Sequence, residues 1–256
     1  MPILTMLAIC VFVYFALLAV ILLFHNRMNP KIVNMIFIII NVILFIIYYL
    51  NEFKRQGDRF ISKTFDQISP FTFTTLPLSY LFNKKVRDAQ FSCVALLSVG
   101  MFVAMLITPQ QAFWAANRAE STLLFITDTL LHLNCSLFGV YLVASGQVKL
   151  NAKCFRNASI YIYSVILFVV LMNTAFHLNY FGMGPYSKYA IYMFKFFNTY
   201  WMTLLVYVLG VSVVLAIGFG SNYALYKLSR HEENEPSNLE NNINNITEPS
   251  TQENLN

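Results

Sequence analysis

Apolar residues run in blocks of near bilayer-crossing length, separated by short polar stretches, and this alternation predicts an all-α, polytopic membrane protein. The blocks place spans over residues 3–24, 32–50, 69–82, 91–108, 121–145, 158–180 and 196–226. The first lacks a basic leader and is too long for the apolar region of a signal peptide, so it reads as a span. The third, SPFTFTTLPLSYLF, is short and holds Pro70, Pro77 and the hydroxyls of Thr72, Thr74, Thr75 and Ser79. Proline removes a backbone donor, and a broken helix is tolerated at membrane depth only where protein or a cavity covers it. The expectation is a seven-helix transmembrane bundle with a short broken third helix, within a membrane domain of residues 1–228. From residue 229 the pattern changes. Residues 229–256 are acidic, Asn-rich and poor in large apolar side chains, which predicts a disordered tail.

Composition removes the soluble alternative: 57% of residues are hydrophobic, 11% are charged and the mean hydropathy is +0.58. The net charge of +5 is spread between spans, which suits lipid headgroups rather than nucleic acid. With seven crossings, Arg27, Lys31, Lys84, Lys85, Arg87, Lys149, Lys153, Arg156, Lys227 and Arg230 share one side. Lys54, Arg55, Arg59, Lys63, Arg118, Lys188 and Lys195 fall on the other. The excess of cations on the first side predicts an outside N-terminus and a cytoplasmic tail in the cell membrane. The four cysteines, Cys10, Cys93, Cys135 and Cys154, show no metal-type spacing and read as buried thiols.

Candidate chemistry sits where polar groups interrupt the apolar blocks. In the fifth span Asp128, His132 and Ser136 recur four residues apart, on one side of a helix. Ionisable groups in a span are costly and normally face the bundle interior or a cavity. The reading is His132 as base, oriented by the Asp128 carboxylate, with Ser136 on the same wall. The plain alternative is a hydrogen-bond network that fixes helix packing. In the sixth span Asn173, His177 and Tyr180 fall along one side, with Asn179 near the helix end. They read either as cavity wall or as a clasp between spans. Thr75 and Ser79 beside Pro77 read as a polar lining opposite the histidines, with Ser79 as the nucleophile of an enzyme reading. Pro109 reads as the stop of the fourth span. No glycine-rich nucleotide loop, Gly-x-Ser-x-Gly elbow or His-Glu-x-x-His occurs, so neither cofactor nor metal is expected.

Four short cues carry a resemblance. Leu76-Pro77-Leu78 lies in the short third span, and Leu106-Ile107-Thr108-Pro109 closes the fourth. His132 sits in the fifth with Gly146 beyond it, and Asn173 precedes Asn179-Tyr180 in the sixth. In order and spacing the chain resembles the YwaF-like integral membrane proteins of bacteria. More distantly it is similar to animal multi-pass proteins linked to ether-phospholipid acyl transfer. The resemblance covers roughly residues 1–228 and implies about seven spans and an intramembrane histidine at His132. It also implies a histidine and a cysteine after the third-span proline, where this chain has Ser79, Tyr80 and Leu81. The cysteine nucleophile of thioester-type acyl transfer is therefore missing.

Three readings of function follow: an enzyme-like protein acting on lipid or another amphiphile through His132, a small-solute or proton-coupled transporter, and a membrane assembly subunit. Membrane lipid is the expected partner in all of them. A small polar substrate or a protein partner is left open.

Overall fold

The computed structural model describes residues 3–57, 68–107, 122–178, 180, 202, 204–224 and 227. They form an all-α bundle: α1 (Ile3–Phe24), α2 (Pro30–Gln56), α3 (Ile68–Leu78), α4 (Lys84–Ile107), α5 (Thr122–Ala144), α6 (Ala152–Phe176) and α7 (Leu204–Ala224). All except α3 are long and apolar enough to cross a membrane. The protein is a multi-pass membrane protein.

Several helices begin earlier than their apolar blocks, and caps explain why. Asn29 accepts from the Lys31 amide and Pro30 opens α2, where its missing N–H leaves no bond unmade. Asn83 accepts from the Val86 amide at 3.0 Å, so α4 begins at Lys84, ahead of its apolar run. Asn151 accepts from the Cys154 amide and starts α6 at Ala152. Hydropathy misses these first turns because they carry the charged residues of the boundary. At the other end of α6, His177 adopts the left-handed conformation (φ 53°) that closes a helix.

The centre of the bundle is α5 with α4. Within their apolar windows 78% of α5 and 61% of α4 are buried, against 11% for α1 and for α2. Phe138 of α5 is fully buried, with Phe37 of α2 at 5.3 Å and Phe91 of α4 at 5.4 Å between ring centroids. Phe12, Leu23 and Met35 are among the outer side chains of α1 and α2, as lipid-facing residues should be.

Glycine brings helices close on both sides of α4. A Cβ on Gly139 of α5 would lie 2.6 Å from both the Val94 carbonyl and the Ser98 Cβ. A Cβ on Gly218 of α7 would fall inside the Leu96 carbonyl. Small residues of this kind let backbones approach where lipid removes the hydrophobic drive for helix association.

Cross-contacts fix the direction of each helix. Asn34 of α2 pairs with Gln147 just beyond α5, and Asn41 lies against Cys135, so α2 and α5 are antiparallel. Ser136 meets Ser98 while Gly139 meets Val94, so α4 and α5 are antiparallel too. Hence α2 and α4 run the same way, and the chain between them must return across the bundle. At 11 residues α3 is ~16 Å long, about half the ~30 Å hydrocarbon thickness. Pro77 lies within its last turn. Residues 79–83, which join α3 to α4, are non-helical.

One end of the bundle accordingly holds Arg27, Lys31, Lys84, Lys85, Arg87, Lys149, Lys153 and Arg156. Asn222 near the end of α7 bonds to Ala95 and Val214 lies by Gly100, so α7 opposes α4 and brings Lys227 to that end as well. Lys54 and Arg55 close α2 at the opposite end. The tail expected over residues 229–256 lies outside the described residues, as do Arg59, Lys63, Pro109, Arg118, Lys188, Lys195 and Arg230.

Candidate functional site

The polar residues of α5 divide between two environments. His132 donates from Nδ1 to the backbone carbonyl of Asp128 at 2.8 Å, one turn back on its own helix. A carbonyl only accepts, so Nδ1 carries the hydrogen, and Nε2 is the basic nitrogen of the neutral ring. The Asp128 carboxylate stands 3.6 Å from Nδ1, beyond a hydrogen bond. The orienting partner is thus the Asp128 backbone, in place of the carboxylate expected from the spacing. The Asp128 side chain is 30% exposed and that of His132 is 14% exposed, so both reach a surface. Glu52, near the end of α2, is close enough for its charge to act on Asp128. Antiparallel packing of α2 on α5 sets Glu52 toward the same end of the bundle as Asp128 and His132, away from the basic cluster.

Ser136 belongs elsewhere. Its hydroxyl donates to the Ser98 carbonyl at 2.7 Å, and it accepts from the Tyr14 phenol at 2.9 Å, since its single hydrogen is already used. Tyr14 stacks on Phe102 with centroids 4.1 Å apart. Ser98 donates to the Ala95 carbonyl, and the Asn222 amide donates to the carbonyls of Gly218 and Ala95 and to the Ser98 hydroxyl. Tyr14, Ser98, Ser136 and Asn222 are all buried. They tie α1, α4, α5 and α7 into one polar knot at the centre of the bundle.

Asn173 is also committed. Its amide donates to the Tyr180 carbonyl at 3.0 Å and its oxygen accepts from the Tyr180 amide at 2.8 Å. It therefore clamps the chain that leaves α6. Tyr180 is buried, His177 is exposed, and Asn179 lies outside the described residues. Thr75 accepts from Gln90 of α4 at 3.0 Å and from the Tyr161 phenol of α6 at 3.1 Å. It fastens the broken α3 to its neighbours.

Ser79 is fully buried, and its hydroxyl has no partner among the described residues. The structure does not bring it to His132. Tyr80 packs by Phe91 and under Arg87, which sets Ser79 near the basic end of α4. Ser136 is level with Ser98, and His132 lies one turn further from the basic end. Counting residues along α4 and α5 at 1.5 Å each separates Ser79 and His132 by roughly 18 Å along the axis. The cysteines do not supply a substitute: Cys135 is buried against Asn41, and Cys93 and Cys154 are buried in the α4 and α6 cores. Among the described residues, no group of three or more His, Cys, Asp or Glu is arranged to hold a metal ion.

Of the expected site, Asp128 and His132 come together, and Glu52, which the spacing does not single out, lies toward the same end. Ser98, Asn222 and Tyr14 were also missed as structural polar residues. A partial signal existed for Asn222, which follows Gly218 by one helical turn, the repeat of a close-packed membrane interface. No protein-family model, curated protein or solved structure matches this chain.

Proposed function

We propose that the protein handles protons, together with a small polar solute, at the Glu52–Asp128–His132 mouth of the bundle. The observation that carries this reading is the contrast within α5. The Asp128 and His132 side chains are partly exposed, with Glu52 toward the same end, whereas the Ser136 hydroxyl and the Cys135 thiol lie in interhelical contacts. Ionisable side chains within membrane spans are recurrent elements of proton relays, which suits a proton-coupled carrier. Ser79 and His132 lie at different levels of the bundle, so acyl transfer through a Ser79 intermediate has no support in this geometry. A second reading keeps His132 as a base that activates water against a lipid ester. The Nδ1 bond to Asp128 favours it by leaving Nε2 as the basic nitrogen. The likeness to the YwaF-like proteins enters either reading through His132.

The basic end of the bundle is assigned to the cytoplasm and the Glu52–Asp128–His132 mouth to the outside of the cell membrane, following the positive-inside tendency. Full-length protein in proteoliposomes with a trapped pH dye tests the reading. An imposed potassium diffusion potential should drive proton flux above protein-free vesicles, alone or with a mixture of amino acids, sugars and organic acids. His132→Ala should abolish it. Flux at the protein-free level under every condition, or unchanged flux in His132→Ala, would overturn the carrier reading. Release of fatty acid from the vesicle lipid, lost in the same variant, would establish the second one.

A further inference from the structure

A groove of about 490 Å³ runs between α4 and α6 on the outer surface of the bundle, far from the Asp128 end. Its walls are Val86 and Ala89 on α4 and Ile160, Val165 and Phe168 on α6, and Lys85 stands at its mouth. We propose that this groove holds one acyl chain of an anionic phospholipid from the basic-end leaflet, with the lipid phosphate on Lys85.

Three observations select that occupant. The first is charge. Lys84 pairs with Asp88 and Arg87 lies over the Tyr80 ring, but Lys85 has no acidic partner among the described residues. Lys153 and Arg156, in the first turns of α6, add positive charge beside the same mouth. An exposed cation at the headgroup level draws anionic lipid. The second is depth. Lys85 is in the first turn of α4 and Asn157 in the second turn of α6, and both line the groove. From Asn157 to Phe168 the groove descends about 16 Å, roughly half the hydrocarbon thickness. That is the reach of a lipid tail from one leaflet. The third is the lining. Apolar side chains make up most of the walls, with Ser164 among them, and the polar Asn157 lies with Lys85 toward the basic end.

Tyr161 also lines the groove, and its phenol donates to Thr75 of α3. The bound tail therefore packs against the side chain that fastens the broken helix. This inference does not depend on the proton reading.

The test uses the full chain in nanodiscs of phosphatidylcholine doped with phosphatidylglycerol of identical tails, with retained lipids counted by native mass spectrometry. The wild type should retain phosphatidylglycerol about fivefold above its input proportion, the preference that one cation near the surface supplies. Lys85→Ala should return the ratio to the input value, while Lys54→Ala, at the opposite end, should leave it unchanged. Ala89→Phe should fill the groove and lower retention of both lipids, and Ile160→Trp, altering the other wall, should do the same where the first variant fails to fold. A wild-type ratio equal to the input overturns the proposal, as does equal retention by the two lysine variants. Full retention in a folded groove-filling variant overturns it too.

Discussion

Two stretches of α5, separated by barely more than one turn, use polar residues in opposite ways. Ser136 is fully buried, and its hydroxyl is shared between Tyr14 and the Ser98 carbonyl. His132 donates to the Asp128 carbonyl one turn back, and both side chains remain partly exposed. In lipid a polar group either finds a protein partner or faces a wet surface. The knot takes the first course and holds four helices together, while Asp128 and His132 stay partly exposed. Polarity inside a span is thus not itself a sign of function. What separates the two cases is burial: Ser136 is fully enclosed, whereas Asp128 and His132 are not.

The comparison is most severely strained by closing the space beside the knot. Gly218→Leu should push α7 from the Leu96 carbonyl and cost ~3 kcal/mol or more, read as loss of monodisperse folded protein in detergent. Asn222→Leu should cost about 2 kcal/mol, because it strips the Ala95 carbonyl of a partner and must bury a larger apolar group in a tight site. Its thermal midpoint should fall clearly below that of the wild type. Ser136→Ala removes one interhelical donor and should cost about 1 kcal/mol on the same scale. Asp128→Asn lies at the mouth and should change stability by less than ~0.5 kcal/mol. A drop as large as that of Asn222→Leu would mean the two regions are not different in kind.

Much of the architecture was legible because bilayer thickness imposes a length on every apolar block. The broken third helix was readable from Pro77 within a short segment, and the antiparallel contacts of α5 then require the chain to cross there. Helix starts were less legible, since Asn83 and Asn151 cap polar first turns that hydropathy treats as loop. The site was legible only locally. A spacing of four residues correctly places Asp128 beside His132. Extending the row to Ser136 fails, because eight residues rotate a helix by about 80° and advance it by about 12 Å, to a different set of neighbours. Asn173 illustrates the remaining gap: an amide in a span looks the same in sequence whether it faces a cavity or clamps a backbone, as it does at Tyr180. Glu52 carries no signal in the spacing because it lies on another helix, and only the packing of α2 on α5 sets it toward the Asp128 end.

The most direct test of the division between knot and mouth sets His132→Ala beside Ser136→Ala in the same proteoliposome and thermal-unfolding assays. His132→Ala should lose potential-driven proton flux while unfolding within about a degree or two of the wild type, and Ser136→Ala should unfold earlier yet retain flux wherever it is folded. The reverse pattern, with His132→Ala destabilised and still conducting, would place the imidazole in the packing of the bundle and contradict the account.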